Sequence, residues 1–260
     1  MTRMDKKIIF FDIDGTLLDE DKNLPESTKL AIAELKRKGH QVAIATGRAP
    51  FMFKELRELL DIHSYVSQNG QLVVSEGEVI YANPLRRDLL EALTEYAVAH
   101  DHPLVYSGAE DMKASMDKHI DVESSMGTLK LALPSYDPDY YRTRDIYQSI
   151  VFCTEEAEEA YRQAFPELKF VRWHPVSMDV LPSNGSKANG IAQMIDILGY
   201  RREDIYAFGD QLNDLEMLEF AGHSVAMGNA PDSVKQAARY VTRHVNEDGI
   251  LFGLQKVGLL

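Results

Sequence analysis

An α/β architecture, in which a doubly wound and mostly parallel sheet carries an inserted α/β domain, is encoded in the order of apolar runs and turn residues along this chain. Three observations point to it. Short strand-like runs at Ile8–Phe11, Gln41–Ala45 and Tyr65–Ser67 alternate with helical stretches over the first third, and such alternation implies parallel strands covered by helices on both faces. Between residues 84 and 183 that rhythm is broken by Pro103, Pro134, Pro138, Pro166 and Pro175. After Asn184-Gly185 it resumes. The expected organisation is a core of residues 1–83 and 184–260 with a second domain inserted over 84–183.

Each element has a local reason. Ile8–Phe11 is a short apolar run of the kind that forms a buried strand. Pro25 suits a helix start, Leu30, Ala31, Ala33 and Leu35 give that helix a packed face, and Gly39 closes it. Gln41–Ala45 is the next strand, followed by Thr46-Gly47-Arg48 and a helix from about Pro50 to Leu60. A third strand at Tyr65–Ser67 ends at Gln68-Asn69-Gly70, and Gln71–Val74 with Val79–Ala82 reads as a hairpin around Ser75–Glu78. The insert holds Trp173 and the tyrosines Tyr136, Tyr140, Tyr141 and Tyr147. Beyond it come a helix from Ser186 to about Leu198, a strand at Ile205–Phe208, a helix at Leu212–Phe220, a strand at Ser224–Met227 and a helix at Asp232–Arg239.

Bulk properties narrow the class. At 260 residues the chain can bury a substantial core. Hydrophobic residues make up 45% and charged ones 27%, ordinary values for a globular protein. The formal net charge of −13 opposes general attraction to nucleic acid or to an anionic membrane, so an anionic substrate needs a local positive site. Cys153, the single cysteine, excludes an intramolecular disulfide, fits a reducing compartment, and reads as a small core hydrophobe within Ile150–Cys153. The run Ile8–Phe11 is too short for a secretory signal, and no apolar stretch reaches membrane-spanning length. The chain reads as cytoplasmic. His100 and His102 lie near Pro103 and suit a helix-end loop better than metal ligation.

Phe10-Phe11-Asp12-Ile13-Asp14-Gly15-Thr16 holds the strongest chemical signal. The strand ends at Asp12 and the chain turns at Gly15, which puts Asp12 and Asp14 where open α/β sheets bind ligands. Two acids so close repel each other, and burial raises the cost unless a cation compensates. A divalent metal ion would. Asp-x-Asp-Gly also occurs in plain turns. A calcium loop of the EF-hand kind fails, because its sixth and twelfth positions would be Leu17 and Asn23 instead of Gly and Glu.

Three further segments fall at strand ends or helix starts. In Thr46-Gly47-Arg48, a hydroxyl and an exposed backbone N–H at a helix entry suit a phosphate oxygen. Lys187 lies near the start of its helix, where its charge opposes the helix dipole and an anion-binding role gains weight. Phe208-Gly209-Asp210-Gln211-Leu212-Asn213-Asp214 places Asp210 directly after an apolar strand and Asp214 around the following turn. Asp214 also suits a plain first-turn helix acid. Hard carboxylate oxygens with no Cys or His beside them favour Mg²⁺ over zinc.

In order and spacing, Asp12-Ile13-Asp14-Gly15-Thr16, Thr46, Lys187 and Gly209-Asp210-Gln211-Leu212-Asn213-Asp214 resemble the four motifs of the haloacid-dehalogenase-like phosphohydrolase superfamily. The insert of about a hundred residues is similar in size and position to the large α/β cap of its Cof-type branch. Ala226-Met227-Gly228-Asn229-Ala230 and Asn246-Glu247-Asp248-Gly249 also look like that branch, while Ala188 and Gln71 depart from it. The resemblance implies a Rossmann-like core with a cap domain, acting on a small phosphorylated metabolite, most simply a sugar phosphate. It implies Asp12 as nucleophile and Asp14 as general acid and base, with a pKa raised by Asp12 and partial burial. Mg²⁺ would be held by Asp12, the Asp14 main-chain carbonyl, Asp210 and Asp214, the last directly or through water. Thr46, Gly47, Lys187 and Asn213 would hold phosphate oxygens.

The cap would shape leaving-group selectivity. Tyr106, His119, His174, Met178 and Asp179 are candidates there by chemical character alone, with core packing the stronger alternative for each. Arg48 could reach a second anionic group or pair with a surface acid. A sugar phosphomutase would use the same phosphoenzyme. A receiver-type signalling domain shares an acidic pair, a phosphorylatable Asp, Thr or Ser and Lys, but has about half this length and no acid two residues after its nucleophile.

Overall fold

Ile8, Ile9, Phe10 and Phe11 are all fully buried, and the strand they form is the centre of the larger sheet. The structure, a computed structural model, describes residues 6–130 and 132–260. Its strands are β1 (Ile8–Phe11), β2 (Gln41–Ala45), β3 (Ser64–Ser67), β4 (Leu72–Ser75), β5 (Glu78–Ala82), β6 (Leu104–Ser107), β7 (Met112–Ala114), β8 (Ser135–Tyr136), β9 (Gln148–Val151), β10 (Leu168–His174), β11 (Ser177–Pro182), β12 (Ile205–Gly209), β13 (His223–Ala226) and β14 (Tyr240–Val241). The helices are α1 (Glu26–Arg37), α2 (Lys54–Leu59), α3 (Arg87–Ala99), α4 (Ile120–Gly127), α5 (Tyr140–Thr143), α6 (Glu155–Ala164), α7 (Lys187–Leu198), α8 (Leu215–Phe220), α9 (Asp232–Ala237) and α10 (Gly249–Lys256).

Two compact units divide the chain. One gathers the residues up to Gly47, Lys54–Tyr81 and Ser186–Leu260; the other gathers Arg48–Phe53 and Ala82–Gly185. In the first, the strand order is β14-β13-β12-β1-β2-β3-β4-β5. Pairing is parallel from β14 through β3 and antiparallel between β3 and β4. The chain winds outward from β1 in both directions, so the switch in strand order lies between β1 and β12. That is where such sheets bind ligands.

Alternation along the strands sends side chains to two helical layers. Ile8, Phe10, Ala43, Ala45, Ile205 and Ala207 pack with Ile191, Met194 and Ile195 of α7 and with Met217 and Leu218 of α8. Phe11 and Phe208 point to the other face, where their rings lie 4.9 Å apart. Gly253 of α10 backs onto Phe208 so closely that a Cβ there would sit 2.6 Å from the ring. This is the doubly wound, mostly parallel sheet expected from the sequence.

The second unit has a sheet of order β10-β11-β9-β6-β7-β8. Leu104, Tyr106, Val151, Phe170, Met178 and Val180 cover one face together with Leu90, Leu93 and Ala97 of α3 and Tyr161 of α6. Val105, Met112, Ala114 and Ile150 cover the other with Val122 and Met126 of α4, and Phe51, Met52 and Trp173 pack against them. Cys153 is buried in the α3–α6 layer. Among the described residues, no helix is long and apolar enough to cross a membrane.

Some boundaries differ from expectation for local reasons. The helix expected from Pro50 to Leu60 is a 3₁₀ turn at Pro50–Phe53 followed by α2. The one expected over Leu212–Phe220 begins as a 3₁₀ turn at Leu212–Asp214, because the Asp214 carboxylate accepts from the Asp210 and Gln211 backbone N–H groups and tightens that entry.

Candidate active site

Parallel pairing of β1 with β12 sets Phe11 beside Phe208, and the Asp12 N–H donates to the Phe208 carbonyl at 3.0 Å. Asp12 and Asp210 therefore leave adjacent strand ends side by side. Gly15 makes the approach possible. Its φ is +82°, and a Cβ there would lie 2.2 Å from Asp210 Oδ2. A side chain at position 15 would be strained and would collide with the carboxylate.

Lys187 closes the cluster from α7. Its Nζ lies 2.6 Å from Asp12 Oδ1 and 2.6 Å from Asp214 Oδ1, with only 1% of the side chain exposed. Asp214 Oδ2 accepts from the Asp210 and Gln211 N–H groups, each at 2.9 Å. Asp12, Asp210 and Asp214 each bring a carboxylate oxygen within 4.8 Å of the others.

The electrostatics follow from burial. Asp12 is pushed well above the usual carboxylate range, by desolvation first and then by Asp214, Asp210 and Asp14, against the pull of Lys187. Asp210 is pushed up to about 6 by burial and by Asp214, while hydrogen bonds from Thr16 and Gln211 and the charge of Lys187 resist. Burial would strip the Lys187 proton, but Asp12 and Asp214 outweigh it and hold its pKa above the ordinary lysine value. One ammonium faces three buried carboxylates, so negative charge is in excess. A hard divalent cation suits this all-oxygen donor set.

Thr46, Gly47 and Asn213 meet through Asn69. The Asn69 N–H donates to the Thr46 carbonyl at 3.1 Å, and Asn213 Nδ2 donates to Asn69 Oδ1 at 3.5 Å. A Cβ on Gly47 would lie 3.1 Å from the Asn69 amide. Gln68, Asn69 and Gly70 form an arch with φ of 49°, 51° and 93°. Two non-glycine residues in succession there is an uncommon conformation. The arch presses on the start of α7: a Cβ on Gly70 would sit 2.0 Å from the Ser186 carbonyl oxygen. Its position thus ties the Thr46 loop to the helix that carries Lys187.

Asp14 is not among the clustered carboxylates. Lys22, itself at φ 66°, donates to Asp14 Oδ1 at 2.6 Å. The expectation that Asp14 answers to Asp12 and to partial burial left out this ammonium. Arg48 begins the segment that belongs to the second unit. Of the candidates in the insert, Tyr106 is fully buried with its hydroxyl 3.0 Å from Thr94 Oγ1, and Met178 is fully buried in the same layer. Both are core. His119 Nδ1 accepts from Asp121 N–H at the start of α4, His174 Nδ1 accepts from Val176 N–H, and Asp179 is buried.

Residues not singled out from the sequence also shape the site. Thr16 Oγ1 donates to Asp210 Oδ1 at 2.8 Å, and Asn229 Nδ2 donates to the Gly15 carbonyl at 2.8 Å. Thr16 lies inside the first motif, so its contribution could have been suspected. Asn229 lies inside Ala226-Met227-Gly228-Asn229-Ala230, one of the segments that resemble the Cof-type branch, but nothing there named its partners; Asn69 and Lys22 carried no such signal.

The model of the haloacid dehalogenase-like hydrolase family matches residues 9–254. YkrA of Bacillus subtilis (strain 168), provisionally named a phosphatase, is 49% identical over 257 residues, spanning 99% of this chain and 100% of YkrA. The 5-amino-6-(5-phospho-D-ribitylamino)uracil phosphatase YitU of the same organism is 32% identical over 260 residues and covers 94% of each chain. Among solved structures, the HAD subclass IIB sugar phosphatase BT4131 superimposes with a TM-score of 0.88 at 30% identity, covering 98% of this chain and 100% of that one.

Proposed function

The chain belongs to the haloacid dehalogenase-like hydrolase family, in its Cof-type branch, and is a phosphoric monoester hydrolase; from that premise we propose that it uses Mg²⁺ to hydrolyse small phosphorylated metabolites through a phosphoenzyme on Asp12. The observation that carries this reading is the buried cluster in which Lys187 bridges Asp12 and Asp214 at 2.6 Å each, with Asp210 alongside. Sugar phosphates are the favoured class. BT4131 is named a sugar phosphatase and YitU acts on a phospho-ribityl compound, so both names describe phosphate on a polyhydroxylated carbon chain.

In the first half-reaction an Asp12 oxygen bonds to phosphorus as the bond to the leaving oxygen breaks, and Asp14 supplies that oxygen with a proton. In the second, Asp14 takes a proton from water, the water oxygen attacks phosphorus, and the bond to Asp12 breaks to release inorganic phosphate. Thr46, the Gly47 N–H, Lys187 and Asn213 bind the phosphoryl oxygens and stabilise their charge in transit. Asp12, the Asp14 main-chain carbonyl and Asp210, with Asp214 directly or through water, would hold Mg²⁺, whose charge would offset the repulsion between the nucleophile and a phosphate dianion. Asp214 also orients Lys187. We assign residues 84–183 to the cap domain that sets leaving-group selectivity, and we place the protein in the cytoplasm.

Phosphate release from p-nitrophenyl phosphate and from a panel of sugar phosphates tests the proposal. Activity should vanish in EDTA, return with Mg²⁺, and fall at least about 10³-fold in Asp12→Asn. Turnover that survives EDTA, or is unchanged in Asp12→Asn, would refute it. An isomeric sugar phosphate in place of inorganic phosphate would make the enzyme a mutase.

A further inference from the structure

We infer that the Asn229 carboxamide is a positioning residue for the divalent cation, fixing the loop after β1 against the Asp210 carboxylate; the inference rests on the metal-dependent reading above. Asn229 lies in the turn that follows β13, 214 positions from Gly15, 19 from Asp210 and 16 from Val245. Its Nδ2 donates to the Gly15 carbonyl at 2.8 Å and to Asp210 Oδ2 at 3.2 Å, and its Oδ1 accepts from the Val245 N–H at 3.1 Å. One amide thus joins three loops that leave the same end of the sheet.

The effect on Asp210 is specific. Thr16 Oγ1 donates to Oδ1 at 2.8 Å, and Gln211 Nε2 donates to Oδ2 at 3.0 Å beside the Asn229 bond. A carboxylate offers about four lone-pair positions. Three are occupied by these donors, which leaves one, on Oδ1, for a cation. The Gly15 carbonyl sits next to Asp14, whose own carbonyl is the proposed main-chain ligand, so the second Nδ2 bond pins the loop that carries it. Partners of this kind, lying behind the ligands, orient them and tune the metal.

A plainer role as a loop staple would act through Oδ1 and Val245 alone. Two variants separate the roles. Asn229→Ala removes every bond of the amide. Val245→Pro removes the N–H that Oδ1 accepts, together with the buried valine side chain, at the first position of a 3₁₀ turn, where proline is tolerated, and leaves both acceptors of Nδ2 in place.

Mg²⁺ binding to the metal-stripped full chain is measured by isothermal titration calorimetry, with circular dichroism to check folding. Asn229→Ala should bind Mg²⁺ about 10–100-fold more weakly than the natural protein, while Val245→Pro should stay within about threefold of it. Equal affinity in Asn229→Ala overturns the inference. So does an equal loss in both variants, or failure of Asn229→Ala to fold, since either would make the residue a staple. If the natural protein binds no Mg²⁺, the metal-dependent reading itself fails and takes this inference with it.

Discussion

Replacing Lys187 with Met asks whether one buried ammonium holds the site together. In the native chain it serves two carboxylates at 2.6 Å, with side-chain exposures of 1% for Lys187, 7% for Asp12 and 0% for Asp214. Removing one partner of a buried pair costs roughly 3–5 kcal/mol, because the other charge stays buried without compensation. Here Asp12, Asp210 and Asp214 would all remain, with no cation among them. The upper part of that range applies, and for a chain of this size it corresponds to a fall in Tm of about 10–20 °C.

The sign of the pH dependence is fixed by Asp12. Burial and its neighbours already raise its folded-state pKa, and Lys187 is the group that pulls it down. In Lys187→Met the folded state would therefore hold the Asp12 proton still more tightly than the unfolded chain does. The deficit should be full above the raised pKa and shrink as pH falls towards the unfolded carboxylate value. Thermal unfolding followed by fluorescence in EDTA, over a pH series and then with excess Mg²⁺, reads this directly. Mg²⁺ should restore part of the lost stability at neutral pH. A deficit that is absent, or independent of both pH and Mg²⁺, would refute the charge-balance account.

Two other substitutions address acid–base chemistry and the second strand end. Asp14→Asn should lower turnover of alkyl phosphates by about 10²–10⁴-fold, while p-nitrophenyl phosphate, whose leaving group needs no proton, should lose far less; equal losses on both would remove Asp14 from the general-acid role. Asp210 has a folded-state pKa pushed up to about 6, so in EDTA it should cost the protein about 3 kcal/mol as pH rises from about 4 to above 6. The Tm of Asp210→Asn should accordingly gain on that of the natural protein by about 10 °C over that interval, whatever constant offset its altered hydrogen bonds add. A difference between the two that stays flat with pH would count against it.

Strand-end chemistry was legible because it is local. Ile8–Phe11 and Ile205–Phe208 are buried runs that stop at acids, and a reader of the sequence can place Asp12 and Asp210 from that alone. Lys187 was legible from its awkward position at a helix start. Residues acting across long separations were not. Asn213 reaches Asn69 across 144 positions and Asn229 reaches Gly15 across 214, and no periodicity encodes such a meeting. Lys22 is only eight positions from Asp14, yet its aim depends on a left-handed backbone that its residue type does not announce. In the insert, Tyr106 and Met178 have the chemistry of ligand contacts and the burial of core, a choice that only packing decides.

The Gln68–Gly70 arch also bears on any attempt to make this protein hardier. Left-handed backbone at a non-glycine residue costs on the order of 1–3 kcal/mol, and Gln68 and Asn69 both carry it. An engineer screening for heat resistance would find relief by placing glycine at either position. The same exchange would loosen the brace between the Thr46 loop and α7, and under the proposed function it would trade grip on the phosphoryl group for robustness.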